Sequence, residues 1–147
     1  MPTFYSDQRT NALANPPVAI DPVYASKVVR LEWTYTTPAS GAPAVGDYVE
    51  LVKLPKGARV LGGRVICEAL SSGAGTAGAD IGYSGADTRY AAALNLDAAA
   101  QADFGHTIAL NYGDVLADEK VLRAKVTGEA WAVSKKVYGY VEYMLAN

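Results

Sequence analysis

Lys27-Val28-Val29-Arg30-Leu31-Glu32-Trp33-Thr34-Tyr35-Thr36 sets Val29, Leu31, Trp33 and Tyr35 against Arg30, Glu32, Thr34 and Thr36 in strict alternation. A period of two in β-branched and aromatic residues marks a strand with one face on a core and one in water. Working outward, Thr37 to Pro43 reads as a loop by its Pro and Gly content, and Asp47 to Leu54 as the next strand. Pro55-Lys56-Gly57 makes a turn, and a third strand runs from Ala58 to about Leu70. That pattern puts Leu61, Val65, Cys67 and Ala69 on one face, with Gly62-Gly63 marking a bulge or bend. Ala79 to Tyr83 is a short strand; Arg89 to Phe104 is rich in Ala and Leu, and Asp97 is placed to cap a short helix there. Lys120 to Thr127 and Val137 to Leu145 alternate again.

Short strands, recurring turn residues and no long helical period between them favour two packed sheets over an α/β fold. The expected class is all-β: a jelly-roll-like antiparallel β-sandwich with an extended N-terminal arm and at most one short helix. Residues 1–26 form the arm and 27–147 the sandwich. The arm carries Pro16, Pro17 and Pro22, which resist helix and central strand alike, yet it holds apolar residues that a solvated tail does not need.

With 147 residues, the chain matches one domain that builds a core without staples. Half of its residues are hydrophobic and 19% are charged, which is too apolar for a disordered segment. A net charge of -2, with Lys and Arg scattered, gives no footprint for direct nucleic-acid binding. Arg59 and Arg64, and Lys135-Lys136, read as surface pairs. The single cysteine, Cys67, excludes an intrachain disulfide and a cysteine-based zinc site. The N-terminal stretch lacks the pattern of a secretory signal and no apolar run reaches membrane length, so no membrane partner is expected.

Gly73-Ala74-Gly75-Thr76-Ala77-Gly78 satisfies the glycine spacing of a dinucleotide-binding turn. That turn works by opening a helix onto a pyrophosphate, whereas here Ala79-Asp80-Ile81-Gly82-Tyr83 continues as strand. The letters fit a glycine-rich connection instead. His106 is the only histidine and has no announced partners, and no Walker sequence occurs. Asp80, Asp87, Asp97, Asp103, Asp114, Asp118 and Glu119 are not spaced as a calcium loop, and Asp beside Gly is ordinary turn chemistry. The expectation is a chain with no cofactor, no metal and no enzymatic activity.

Ten tyrosines say more. Tyr138 and Tyr140 share one face of the last strand, with Trp131 just before it. Such residues serve sheet packing, a protein contact patch or a sugar-stacking platform. The interface candidates are Phe4, Tyr5, Leu13, Val18, Ile20 and Tyr24 on the arm, and Trp131, Tyr138 and Tyr140 in the sandwich.

The stretch from Gly46 to Val60, GDYVELVKLPKGARV, resembles small structural proteins of tailed bacteriophages. The likeness continues through Ala79-Asp80-Ile81-Gly82-Tyr83, Ala86-Asp87-Thr88-Arg89-Tyr90 and the closing Tyr138-Gly139-Tyr140-Val141-Glu142-Tyr143, about the last two thirds of the chain. The resemblance implies a capsid cement, or decoration, protein: a jelly-roll-like module on the outer surface of the virion, bridging major capsid subunits without catalysis. It implies a dimer or trimer at a symmetry axis, made in the host bacterial cytoplasm. A head-fibre base or a carbohydrate-binding jelly roll would look similar.

Overall fold

The computed structural model describes residues 27–73, 75–105 and 115–146. Among these residues eight strands follow in order: β1 (Val28–Thr36), β2 (Tyr48–Leu54), β3 (Ala58–Cys67), β4 (Ala77–Tyr83), β5 (Ala86–Asn95), β6 (Ala100–Phe104), β7 (Lys120–Gly128) and β8 (Lys136–Leu145). They form two four-stranded antiparallel sheets, β1-β8-β3-β6 and β2-β7-β4-β5.

The pairing is nested: β1 with β8, β2 with β7, β3 with β6 and β4 with β5. The chain is thus one long ribbon folded at Ser84-Gly85, where Gly85 takes a φ of 88° that suits a two-residue hairpin. Rolling that ribbon adds the pairs β3–β8 and β4–β7 and closes the jelly roll. Period-two alternation then decides the layers. Val137, Val141 and Tyr143 of β8, Val60 and Val65 of β3, Leu122, Ala124 and Val126 of β7 and Ile81 of β4 are buried between the sheets. Each Val, Leu or Ile among them stabilises the fold by about 1.5–3 kcal/mol relative to leaving it in water.

In the middle of the first sheet, bulk and absence of bulk are matched. Trp33 of β1 and Phe104 of β6 lie over the central strands with ring centroids 6.2 Å apart. Gly139 of β8 and Gly63 of β3 make room for them: a Cβ on Gly139 would stand 2.7 Å from Trp33 Cζ2, and one on Gly63 would overlap the Phe104 ring. Two aromatic rings from the edges therefore fill the space that two central glycines leave.

One end of the sandwich is stitched by its loops. Trp131 N–H donates to Pro43 O at 3.0 Å, Ala132 N–H to Leu70 O at 2.8 Å, and Leu70 N–H to Leu96 O at 3.2 Å. Buried Thr37 accepts from Lys135 N–H at 2.8 Å and donates to Ala132 O at 2.7 Å. Glu129, nearly buried, accepts from Ser71 Oγ at 2.6 Å, Ser72 N–H at 3.0 Å and Ser72 Oγ at 3.1 Å. Those three donors meet the need of a desolvated carboxylate and pin the glycine-rich connection between β3 and β4.

The structure corrects the sequence at four places. No helix occurs among the described residues, and 86–104 form β5 and β6. Asp97 belongs to the turn between them: its N–H donates to Asn95 Oδ1 at 2.9 Å and its Oδ1 accepts from Ala77 N–H at 2.9 Å. β3 ends at Cys67, and the register shift between Val60 and Gly62 brings Val60, rather than Leu61, into phase with Val65 and Cys67. The bulge itself is where the two glycines placed it, with Gly62 at a φ of 149°. Trp131 is 3% exposed, so its indole belongs to the core and offers no area to a partner.

Candidate contact surface

The outward residues of the first sheet form rows across its strands. Glu32, Tyr140, Arg64 and Asp103 stand side by side, and next to them Thr34, Tyr138, Ile66 and Gln101. The row beyond the first carries Arg30 and Glu142. Tyr138, at 44% exposure, is among the most open large apolar side chains, and Ile66 and Tyr140 are half-buried beside it. Tyr138, Tyr140, Glu32, Thr34 and Ile66 line an open cleft of about 240 Å³ floored by Gly139 and the edge of Trp33.

Ion pairs hold the rim of this patch in place. Arg30 Nη2 meets Glu142 Oε1 at 2.6 Å while its guanidinium carbon stacks 4.1 Å from the centre of the Tyr140 ring. Arg64 grips Asp103 with both arms of its fork, the longer bond at 3.0 Å, and reaches Gln101 Oε1 at 3.1 Å. The hydrogen bond that Arg30 donates to Glu142 raises the Arg30 pKa, and that from Arg64 to Asp103 raises the Arg64 pKa. Both pairs face solvent, so their worth lies in fixing side-chain geometry rather than in stability. An aromatic and aliphatic centre ringed by oriented charges has the anatomy of a protein contact site.

The outer face of the second sheet is organised differently. A single carboxylate, Asp87, accepts from Arg123 Nη2, from Tyr48 Oη at 2.9 Å and from Lys125 Nζ at 3.4 Å. The Arg123 guanidinium lies 3.9 Å from the Tyr48 ring centre. Gly82 allows this, because any side chain there would collide with the backbone of Ala86 and Asp87. One carboxylate thus gathers two cations and a phenol, and the cluster keeps a net positive charge.

Asp87 also gives a pH prediction. The hydrogen bond from Arg123, followed by those from Tyr48 and Lys125, holds its pKa below the ordinary aspartate value. Its contribution to stability is therefore present above the unfolded-state pKa of about 3.9 and is lost as pH falls through the folded value. Thermal melts should show wild type above Asp87→Asn by a steady margin from about pH 6 to 8. The margin should close in acid below about pH 4; an unchanged margin at pH 2.5 would remove Asp87 as its source.

The sequence candidates divide accordingly. Tyr138 and Tyr140 come together on the outer face, Trp131 lies in the core, and Phe4, Tyr5, Leu13, Val18, Ile20 and Tyr24 fall outside the described residues, as does His106. The sequence did not join Ile66, Arg30, Arg64, Asp103 and Glu142 to the tyrosines, because only the β3–β8, β1–β8 and β3–β6 registers bring them together. Among the described residues no group of three or more His, Cys, Asp or Glu side chains is placed to hold a metal ion.

With this geometry in hand, solved structures supply the comparison. The chain shares its fold with chains of phage capsids. Over 99% of its length and 100% of the other chain it is similar to one in the "Cyanophage Pam1 capsid asymmetric unit", at 25% identity and a TM-score of 0.66. It is also similar to a chain of the "Capsid of Ralstonia phage GP4", at 20% identity and a TM-score of 0.67 over 82% of this chain and 86% of that one. A chain of the "Acidic stable capsid structure of Helicobacter pylori bacteriophage KHP30" matches at 17% identity and a TM-score of 0.57, over 83% and 90%. No protein-family model and no curated protein matches the chain.

Proposed function

We propose that the chain is a structural protein of a phage particle, bound to the outside of the capsid, where it cements neighbouring major capsid subunits by non-covalent contacts. The observation that carries this reading is the likeness, over 99% of this chain and 100% of the other, to a chain from a capsid asymmetric unit. In this reading the face built on Tyr138, Tyr140 and Ile66 is the docking surface. The protein works by geometry and without catalysis: many copies, each bridging two or more subunits weakly, add up to a large stabilisation of the shell. The chain acts as a homo-oligomer, is made in the host cytoplasm and ends on the virion, and its arm, through Phe4, Tyr5 and Leu13, clamps the neighbouring subunit.

Rebinding to particles tests the proposal. Purified chain mixed with capsids stripped of it should co-sediment at a fixed number of copies per particle, and removing it again should leave the shell assembled. Deleting residues 2–24 should lower occupancy at least tenfold at sub-saturating concentration while the sandwich stays folded by circular dichroism. Equal occupancy of the deleted chain would refute the clamping role of the arm.

A second reading rests on the cleft beside Tyr138. Its size, its two tyrosines and the oxygen atoms of Glu32 and Thr34 suit a sugar ring stacked on an aromatic face. That would make the chain a carbohydrate-binding jelly roll or the base of a head fibre, and silence on a glycan array would remove the sugar-binding version.

A further inference from the structure

We propose that the sheet β1-β8-β3-β6 is completed by residues 18–24 of a second copy of this chain, laid along the free edge of β1, so that two copies exchange arms. This deepens the role proposed for the arm by assigning its second half to self-association and leaving its first half for the capsid.

The edge itself is the first ground. Among the described residues β1 is the outermost strand of its sheet, and it pairs with β8 over all nine of its residues without a register shift. A long, regular edge strand exposes a full row of backbone donors and acceptors and is a template for another strand. It carries no proline to block pairing.

The second ground is an unsealed seam. The inward residues Val29, Leu31 and Tyr35 of β1 are only half-buried, where Val137 and Val141 of the adjacent β8 are 3% and 0% exposed. Across the gap, Leu51 and Val52 of β2 are half-buried too. Five apolar side chains of this kind at the one place where β1 and β2 lie side by side leave a stripe that another strand would cover. The opposite seam is lined by the smaller Ala91 and Ala102 together with Leu94.

The third ground is the sequence that leads into this edge. Val18-Ala19-Ile20-Asp21-Pro22-Val23-Tyr24 alternates, with Val18, Ile20 and Tyr24 on one side. Those three would continue the inward layer over the seam. Pro22 fits only an outermost strand with its nitrogen facing away from the partner, and there it also blocks any further strand. Ala19, Asp21 and Val23 then supply the backbone groups that bond to β1.

Turn chemistry selects a second copy over the chain's own arm. To fold back on its own β1, the segment would have to reverse within Ala25-Ser26-Lys27, which lacks the Gly or Asn that a tight hairpin demands. Left extended, those three residues span roughly 10 Å, enough to cross the strand spacing of about 4.8 Å to a neighbouring edge. Reciprocal exchange about a two-fold axis makes the same contact twice.

Light scattering on purified full-length chain, with no capsid present, should give twice the 15.4 kDa chain mass. Deletion of residues 2–24 should yield monomer, and Ile20→Asp in the full-length chain should weaken the dimer at least tenfold. Both should keep the near-ultraviolet signal of the buried Trp33 and Trp131. A photo-crosslinker at position 20, in a mixture of light and heavy isotope-labelled chains, should join mixed pairs within 28–36 or 48–54. Full-length monomer at 100 µM, or crosslinks confined to a single copy, would overturn the exchange, as would a dimer that survives the deletion and so rests on the outer sheet face. Since particles take no part, a failure to dimerise and a failure to bind capsids are separate results.

Discussion

Replacing Gly139 with alanine is expected to destabilise the fold by about 3 kcal/mol or more. The Cβ would overlap the carbonyl oxygen of Arg64 on β3 and press on Trp33 at 2.7 Å, so both a backbone and a ring would have to give way. β3 and β8 are the two central strands of their sheet, and neither can retreat without parting from its other neighbour. Gly63 stands in the reciprocal position, with its Cβ in the path of the Tyr140 carbonyl and the Phe104 ring. Gly75→Ala is the control, because its Cβ would find only Glu129 at 3.8 Å, ordinary contact, and should change stability by less than about 0.5 kcal/mol. Urea unfolding midpoints for the two variants separate these outcomes, and equal midpoints would remove the close approach from the account.

Trp131→Ala should cost about 3–5 kcal/mol, the range for deleting a large buried aromatic. Its indole packs against Tyr35 with centroids 6.5 Å apart, and its Nε1–H donates to Gly78 O at 3.1 Å, so one side chain joins the loop before β8 to both sheets. Trp131→Phe separates the two contributions. It keeps most of the buried area but leaves the Gly78 carbonyl without its donor, which costs about 1–3 kcal/mol. A Phe variant as unstable as the Ala variant would show that the retained aromatic area contributes nothing by itself, against this division.

How well the chain could be read from its letters depended on where each strand lies. β1, β2, β7 and β8 show clear alternation because one face of each meets the core and the other meets water. β5 and β6 do not, since the alanines at 91–93 and 98–100 suit a helix as well as a strand, and only pairing with β4 and β3 settles them as strands. Asp80 helps, accepting from Ala93 N–H at 2.7 Å where Ala93 takes a φ of 49°, a contact between residues that no local pattern links. The two-sheet class was legible from short strands and turn residues although only six of the eight strands were marked, and the nested pairing supplies the jelly-roll order.

The contact surface was half legible. Tyr138 and Tyr140 announce one face of β8 by their spacing, yet Trp131 carries the same aromatic signal and is buried for packing. The difference is position: Trp131 lies in the loop before β8, where its ring turns inward to close the end of the sandwich, whereas the tyrosines sit at outward positions of a central strand. Ile66 and the arginines join them through pairings between strands far apart in sequence, which a single sequence does not display.

The central claim is that the outer face around Tyr138 attaches this chain to a phage shell. Occupancy on stripped capsids, measured by co-sedimentation for wild type and for Tyr138→Glu, tests it most directly, because Tyr138 is exposed and its replacement leaves the core untouched. A drop of about tenfold or more, the loss of about 1.4 kcal/mol per contact, with an unchanged melting temperature is the predicted result; full occupancy by the Glu variant would contradict the claim.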